Sequence, residues 1–305
     1  MNVKVILNPY ANRWRAQARA NTMMAALQTA GLTADLAITE KPGQGIDLAR
    51  QAVLDGYEAV LAAGGDGTIN EVINGVLQAT PDGKPTLPFG IMPIGTANDF
   101  AKMQNLPLDM VMAAQAVAAC HTHQIDAGVI TGSWGDAPRY FVNNSAAAME
   151  PMITIENIRM KRLSGEMRYM AALVKGLFKL KAWQMQIKWD GGGHDGPAYL
   201  LSVCNGPRTG GFQMAPNAEF DDGLFDFVFA PEVSKLTVIA VLLKLMKGEH
   251  IHHPAVTYAR TAQLTLTSEP GTPIHADGEV FVESATAVSY RILPGKITLI
   301  TATDK

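Results

Sequence analysis

Cysteine is nearly absent. Cys120 and Cys204 are the only two in 305 residues, 84 positions apart, with no CxxC pair and no zinc spacing. That excludes a disulfide-stapled scaffold and a zinc ribbon. Aromatic residues are sparse at 7%, and in the basic stretch 159–188 they are not interleaved at stacking intervals, so nucleic-acid binding is not expected. Neither sign of charge dominates: 25 Lys and Arg against 28 Asp and Glu leave a net charge of −3. A domain built to bind nucleic acid would carry a basic excess. Long apolar runs are missing too. The longest helix-like one, Leu236 to Met246, falls well short of the ~18 residues a transmembrane helix needs. The N-terminus, MNVKVILNPY, runs straight into a strand pattern without a basic segment and an apolar core, so no secretory signal is expected. These absences describe a soluble, cytoplasmic protein.

What is present is enough apolar material, 48% of residues, to bury a core. The length suggests about two domains at ~150 residues each. Up to about residue 130, strand and helix signals alternate. Strands are expected at Val3–Leu7, Asp35–Thr39, Ala59–Ala63, Phe89–Ile94 and Gln124–Ile130. Helices are expected at 15–30, Gly45–Leu54, Ile69–Leu77 and Met110–Ala119. Apolar strands alternating with helices imply a parallel sheet covered on both faces. Such a sheet places its ligand at the carboxyl ends of the strands. Beyond residue 130 the pattern becomes short strands with Gly, Pro and Asp turns, at Tyr140–Asn143, Met185–Trp189, Ala198–Val203, Phe225–Phe229, Ala262–Thr267, Val280–Val282 and Val288–Leu293. Helical stretches interrupt it at 166–182 and 234–247. The fold class read from this is two-domain: an α/β parallel-sheet nucleotide domain over 1–128, plus an antiparallel β-sandwich or barrel with helical insertions over 129–294.

Three elements carry chemistry. Gly64-Gly65-Asp66-Gly67-Thr68 follows directly on an apolar strand. Consecutive glycines let the backbone approach a ligand closely, and the helix that follows offers free N–H groups to a phosphate. Thr68 and Glu71 have the spacing of a capping box. Asp66 beside a phosphate cradle calls for a bridging cation, normally Mg²⁺. Gly95-Thr96-Ala97-Asn98-Asp99-Phe100 follows the next strand, and Thr96 is the expected cap of its helix, with Asp99 three residues on. Two such turns on neighbouring strands suit a polyphosphate. The third is His275-Ala276-Asp277-Gly278-Glu279. In an extended segment Asp277 and Glu279 would point the same way, and a carboxylate of such a pair can take a proton from an acceptor hydroxyl. Taken singly, each has a plain structural reading as a capped turn or a solvated loop.

Together, in this order and spacing, the three elements resemble the diacylglycerol kinase catalytic-domain family, which includes bacterial YegS-like lipid kinases and sphingosine kinases. The likeness covers nearly the whole chain. Asn8-Pro9 stands at the family's first nucleotide loop, Thr39 at its nucleotide-contacting threonine, and Asn205-Gly206, Gly210-Gly211, Ala215-Pro216 and Asp221-Asp222-Gly223-Leu224 along its NG…GG…AP…DGL stretch. The resemblance implies an ATP- and Mg²⁺-dependent kinase of a lipid hydroxyl, the lipid being diacylglycerol-like or phosphatidylglycerol-like. It implies ATP binding by Asn8, Thr39, Gly64, Gly65, Asp66, Gly67, Thr68, Asn70, Glu71, Gly95 and Thr96. Glu279 would be the base, oriented with help from Asp277, and Asp66 would act through Mg²⁺. Transfer would take place in a cleft with ATP on one side and lipid on the other. A second, structural Mg²⁺ or Ca²⁺ would be held by Glu219 and Leu224 through backbone carbonyls and by the Asp222 carboxylate. The last strand, about 295–305, would return to the first domain. The chain departs from the family in its first loop, Asn8-Pro9-Tyr10-Ala11-Asn12-Arg13, and at Asn143-Asn144-Ser145-Ala146-Ala147-Ala148, where relatives often have Asn then Gly.

Charge is distributed unevenly. Residues 159–188 carry a net +7, leaving −10 for the rest. Tyr169, Leu173, Leu177 and Leu180 recur there at helical spacing among Arg168, Lys175, Lys179 and Lys181. This suits docking on an anionic membrane surface, and equally a helix covering the second sheet with its lysines in water. His250-x-His252-His253 has no Cys or acidic pattern to complete a metal site. Two rival functions share part of the evidence: an NAD kinase, which also carries GGDGT, and a non-catalytic nucleotide- or lipid-binding regulator.

Overall fold

In the computed structural model, which describes residues 1–11, 15–96, 98–159 and 180–303, the chain forms two units. One comprises Met1–Ala127 with Pro294–Lys305, the other Gly128–Leu293.

The first unit is built on parallel strands β1 (Asn2–Leu7), β2 (Thr33–Ile38), β3 (Ala59–Gly64) and β4 (Phe89–Pro93). Their order across the sheet is β2-β1-β3-β4. All six residues of β3 are buried, as a strand covered on both faces requires. Val3, Val5 and Leu7 of β1, with Leu61 and Ala63 of β3, share a core with Met23 and Leu27 of α1 (Ala20–Thr29) and Ala113, Ala114 and Val117 of α5 (Met110–Ala119). Helices α2 (Gln44–Leu54) and α3 (Asp66–Ala79) pack on each other. Their approach is so close that a Cβ on Gly75 would lie 2.1 Å from the Ile46 carbonyl oxygen. The short α4 (Asp99–Met103) follows β4. The end of the chain adds a further parallel strand beside β4, with Leu299 opposite Phe89.

The second unit is antiparallel. It contains β6 (Gly135–Phe141), β7 (Asn144–Ala148), β8 (Trp183–Trp189), β9 (Gly192–Cys204), β10 (Phe225–Pro231), β11 (Thr257–Thr261) and β12 (Gln263–Ala276). Strands β5 (His121–Gly132) and β13 (Glu279–Thr301) each run across the unit boundary. Strands β9 and β12 both change partner along their length. Each pairs with β8 over one part and with β7 over the other. That exchange, with register shifts in β12, lets the strands bend between two layers. Phe225, Phe227, Leu201 and Val203 fill the inner core with Phe141 and Tyr290. The alternate residues Val228, Leu200 and Cys204 form a second cluster with Leu242 and Leu245 of α7 (Lys235–Leu245). Helix α6 (Met149–Arg159) follows β7.

Several local expectations are corrected. Strand β7, strand β11 and helix α6 have no counterpart in the periodicity reading. The expected helix 166–182 lies outside the described residues up to position 179, and residues 180–182 are not helical. Thr68 and Glu71 do not form a capping box, because α3 already begins at Asp66 with Gly65 before it. Glu71 instead reaches across to α2. Its carboxylate accepts the Gly43 N–H at 2.8 Å and the Gly45 N–H at 2.9 Å. A negative charge on the free N–H groups of a helix start is stabilising. Glu71→Ala is expected to lower unfolding stability by about 1–2 kcal/mol, measured by urea denaturation, whereas an unchanged midpoint would rule out this cap.

Candidate active site

The strand order of the first unit changes direction between β1 and β3, the place where an open parallel sheet leaves a crevice at its carboxyl ends. The residues expected to bind nucleotide gather on that edge. Asn8 follows β1, and its Oδ1 accepts the Tyr10 N–H at 3.0 Å. Thr39 follows β2, buried, with its N–H on the Leu7 carbonyl at 2.9 Å. Gly64 ends β3, and Gly95 and Thr96 follow β4. The two glycine turns abut backbone to backbone. Gly95 N–H donates to the Gly64 carbonyl at 2.9 Å, and a Cβ on Gly95 would lie 2.5 Å from Gly65 Cα. A Cβ on Gly64 would meet Thr68 Oγ1 at 2.2 Å. Larger residues cannot hold this geometry. Thr68 and Asn70 are buried in α3, whereas Thr96 is exposed.

Asp66 occupies the first position of α3, and its carboxylate lies against the start of α4. Oδ1 accepts the Phe100 N–H at 3.1 Å and Oδ2 the Asp99 N–H at 3.4 Å. Thr96 therefore does not cap α4. Asn98, at φ 51°, precedes the helix, and the cap comes from Asp66, one strand away in the sheet. Burial raises the Asp66 pKa above the usual carboxylate value; the Phe100 N–H opposes this and the charge of Asp99 adds to it.

In the second unit the pair expected to share one extended segment, Asp277 with Glu279, is not extended. Asp277 (φ 47°) and Gly278 (φ 83°) form a two-residue turn between β12 and β13, with Ala276 opposite Glu279. Two left-handed residues in a tight hairpin are the preference of Asp-Gly. The Asp277 carboxylate turns inward and accepts three backbone N–H groups: Val142 at 2.9 Å, Asn143 at 2.9 Å and Asn144 at 3.0 Å. Asn205 and Gly206 hold the same segment from its other side, both N–H groups donating to the Asn143 carbonyl. The group found with Glu279 is Arg139 of β6, at 3.2 Å. The Glu279 side chain is 41% exposed, open enough to meet a substrate. Arg139 also lies over the Phe281 ring. No sequence signal marked Arg139, because the pairing spans 140 residues.

Behind the hairpin lies a buried polar cluster that periodicity also missed. His275 Nδ1 accepts the Gly278 N–H at 3.3 Å, and its Nε2 lies 3.2 Å from Glu150 Oε1. Asn144 Nδ2 donates to Glu150 at 2.8 Å. Burial works against the Glu150 charge, but His275, Asn144 and Ser202 outweigh it and the pKa falls.

Of the residues expected to hold a structural cation, Asp222 is engaged by other groups of the protein. Asp222 Oδ1 accepts the Leu224 N–H at 3.0 Å, and Oδ2 pairs with the Arg260 guanidinium. Arg260 Nε also lies 3.4 Å from the fully buried Asp226, which accepts the Tyr258 hydroxyl at 2.5 Å. A guanidinium thus supplies the positive charge of this loop. Among the described residues, no three His, Cys, Asp or Glu side chains stand together as a metal site, and His250 instead meets the Met214 carbonyl at 3.0 Å.

The chain is similar to known proteins over nearly its whole length. Residues 2–130 match the diacylglycerol kinase catalytic domain, and residues 146–301 match the YegS C-terminal NAD kinase beta sandwich-like domain. A diacylglycerol kinase of Staphylococcus haemolyticus (strain JCSC1435) is 30% identical over 280 residues, 90% of this chain and 81% of that protein. One from Staphylococcus aureus (strain MRSA252) is 29% identical over 280 residues, 90% of this chain and 85% of that protein. A crystal structure of a diacylglycerol kinase from Bacillus anthracis strain Sterne shares the fold with a TM-score of 0.69 at 18% identity, covering 98% of this chain and 96% of that one. The fold and the kinase-named relatives define an enzyme of the lipid kinase class. The chain belongs to the diacylglycerol kinase catalytic-domain family, in its YegS-like branch.

Two outcomes follow from the Asp222–Arg260 pair. The change in melting temperature between EDTA and millimolar Mg²⁺ or Ca²⁺ is expected to be the same in wild type and in Asp222→Ala. Arg260→Ala is expected to cost about 2 kcal/mol of stability, because it leaves buried Asp226 without its cation. A metal-dependent rise in wild type that Asp222→Ala abolishes would overturn this reading.

Proposed function

We propose that the chain transfers the γ-phosphoryl group of ATP to the hydroxyl of a diacylglycerol-like lipid. The observation that carries this reading is Asp66, an acidic side chain at the N-terminus of a 14-residue helix, beside two abutting glycine turns. The free N–H groups of the α3 start favour phosphate. Asn8, Thr39 and Thr96 border the same sheet edge and bind the nucleotide around it. Glu71 contributes at one remove, by fixing the α2 start.

A divalent cation would fit Asp66, a hard oxygen donor at the start of α3 beside the two glycine turns. Mg²⁺, when bound there, neutralises charge on the phosphates. The remaining work falls to side chains of this protein. Glu279 accepts the proton of the lipid hydroxyl, and Arg139 orients its carboxylate. The hydroxyl oxygen forms the new bond to the γ-phosphorus as the bond to the β-phosphate oxygen breaks, and ADP leaves. Asp277 works indirectly. By holding three consecutive N–H groups it keeps the turn that presents Glu279. Diacylglycerol is favoured as the acceptor because the relatives bear that name.

The test is γ-labelled ATP with Mg²⁺ and dispersed diacylglycerol, phosphatidylglycerol or NAD as acceptor. A labelled organic-phase product from diacylglycerol is expected. Labelled product from NAD alone would transfer the reading to a soluble acceptor. Glu279→Gln and Asp66→Asn are each expected to reduce kcat by about 10³-fold with the fold retained by circular dichroism. Activity should fall as pH falls, since Asp66 must be charged, and its raised pKa places this acidic limb above that of an ordinary aspartate.

A further inference from the structure

Helix α7, Lys235–Leu245, is apolar on two sides, but the second unit covers only one of them. Val238 and Leu245 are buried, and Leu242 packs with Leu200, Met214 and Val228. On the other side Leu236 is 80% exposed, Ile239 47%, Leu243 62% and Met246 58%. These are four of the ten large exposed hydrophobic side chains among the described residues, gathered on one helix. At ~100° per residue they fall within an arc of about 80°, with Lys235 and Lys244 on opposite sides of it. Lys247 follows directly, and no acidic residue occurs between Glu232 and Glu249. A helix that is apolar all round is ordinarily buried, so this face calls for a partner.

We propose that α7 lies on the surface of an anionic lipid bilayer, its outer leucines among the acyl chains and its lysines at the phosphates. Charge selects this occupant. A second copy meeting the same face across a two-fold axis would set lysines against lysines, with no acidic residue of the segment to meet them. An anionic bilayer offers apolar depth beneath the stripe and negative charge on both flanks. No helix among the described residues is long and apolar enough to cross a membrane, so the helix lies in the interface plane. Lysine stems reach outward along such a helix while their ammonium groups stay at the headgroups. The inference goes beyond the proposed reaction, since it concerns binding alone and needs no turnover.

The test is co-sedimentation with phosphatidylcholine vesicles, with and without phosphatidylglycerol, in the absence of nucleotide. Wild type is expected to sediment with the anionic vesicles, and to do so less as salt is raised. Leu236→Asp with Leu243→Asp should weaken binding by about a hundredfold, and Lys235→Glu with Lys244→Glu by about tenfold or more. Both pairs lie on exposed positions, and an unchanged melting temperature checks their folding; the single change Leu243→Gln serves if either pair is unstable. Phosphorylation of a dispersed short-chain lipid should be unaffected, while that of vesicle-embedded lipid falls. Wild type that ignores anionic vesicles overturns the proposal, as does vesicle binding equal in wild type and variants. Self-association abolished by the leucine changes, without vesicle binding, would assign the face to a second copy. A chain inactive on every lipid would sink the proposed reaction and leave this result standing.

Discussion

Two polypeptide turns touch in the first unit with nothing between them but backbone. Gly95 N–H meets the Gly64 carbonyl, and a single added methyl carbon at Gly95 would lie within 2.5 Å of Gly65 Cα. That approach places the starts of α3 and α4 side by side and lets Asp66 reach from one to the other. A side chain on Gly95 would push the turns apart and break the Asp66 contact, and one on Gly64 would run into Thr68. The chemistry of this unit therefore rests on a packing constraint. Glycine is required for absence of bulk here, since neither Gly64 nor Gly95 adopts a left-handed backbone.

The second unit reaches the same end by other means. Its hairpin tip is held by charge: one carboxylate, Asp277, gathers three N–H groups that a strand break at 142–143 would otherwise leave without partners. Hydrogen bonds to an ionised acceptor are about twice as strong as neutral ones, so the tip is rigid without a large apolar anchor. His275 and Glu150 continue the same logic inward. In the DGL loop an arginine does comparable work between two aspartates. The three devices share a pattern in which each buried or half-buried acid is matched by N–H donors or by a cation from a distant part of the chain.

Helix α7 shows the opposite economy. Its inner face completes a core, but its outer face leaves apolar area in water with lysines alongside. Exposed apolar patches of this kind mark interaction surfaces more often than accidents of packing. For an enzyme of the lipid kinase class, the proposed interfacial helix on the β-rich unit would give a physical route to an acceptor in a bilayer.

Much of the fold was legible in the sequence because it is locally encoded. Apolar runs closed by Asn-Pro or by glycine placed β1, β3 and β4 to within a residue or so, and the two glycine-rich turns marked the carboxyl edge of the sheet. The local signal was silent wherever a partner came from far along the chain. Glu71 and Thr68 had the spacing of a cap, yet Glu71 serves a helix that starts 27 residues earlier. Asp277 and Glu279 had strand spacing, yet the Asp-Gly turn between two paired strands sends them apart. Strand β7, Asn-Ser-Ala-Ala-Ala, has no alternation to read because both its faces are buried. The sequence by itself determined where the glycine turns and the acidic side chains of the candidate site stand along the chain. Tertiary structure alone decided that Arg139 meets Glu279 and Arg260 meets Asp222, because such pairings depend on how strands far apart in the chain come to lie side by side.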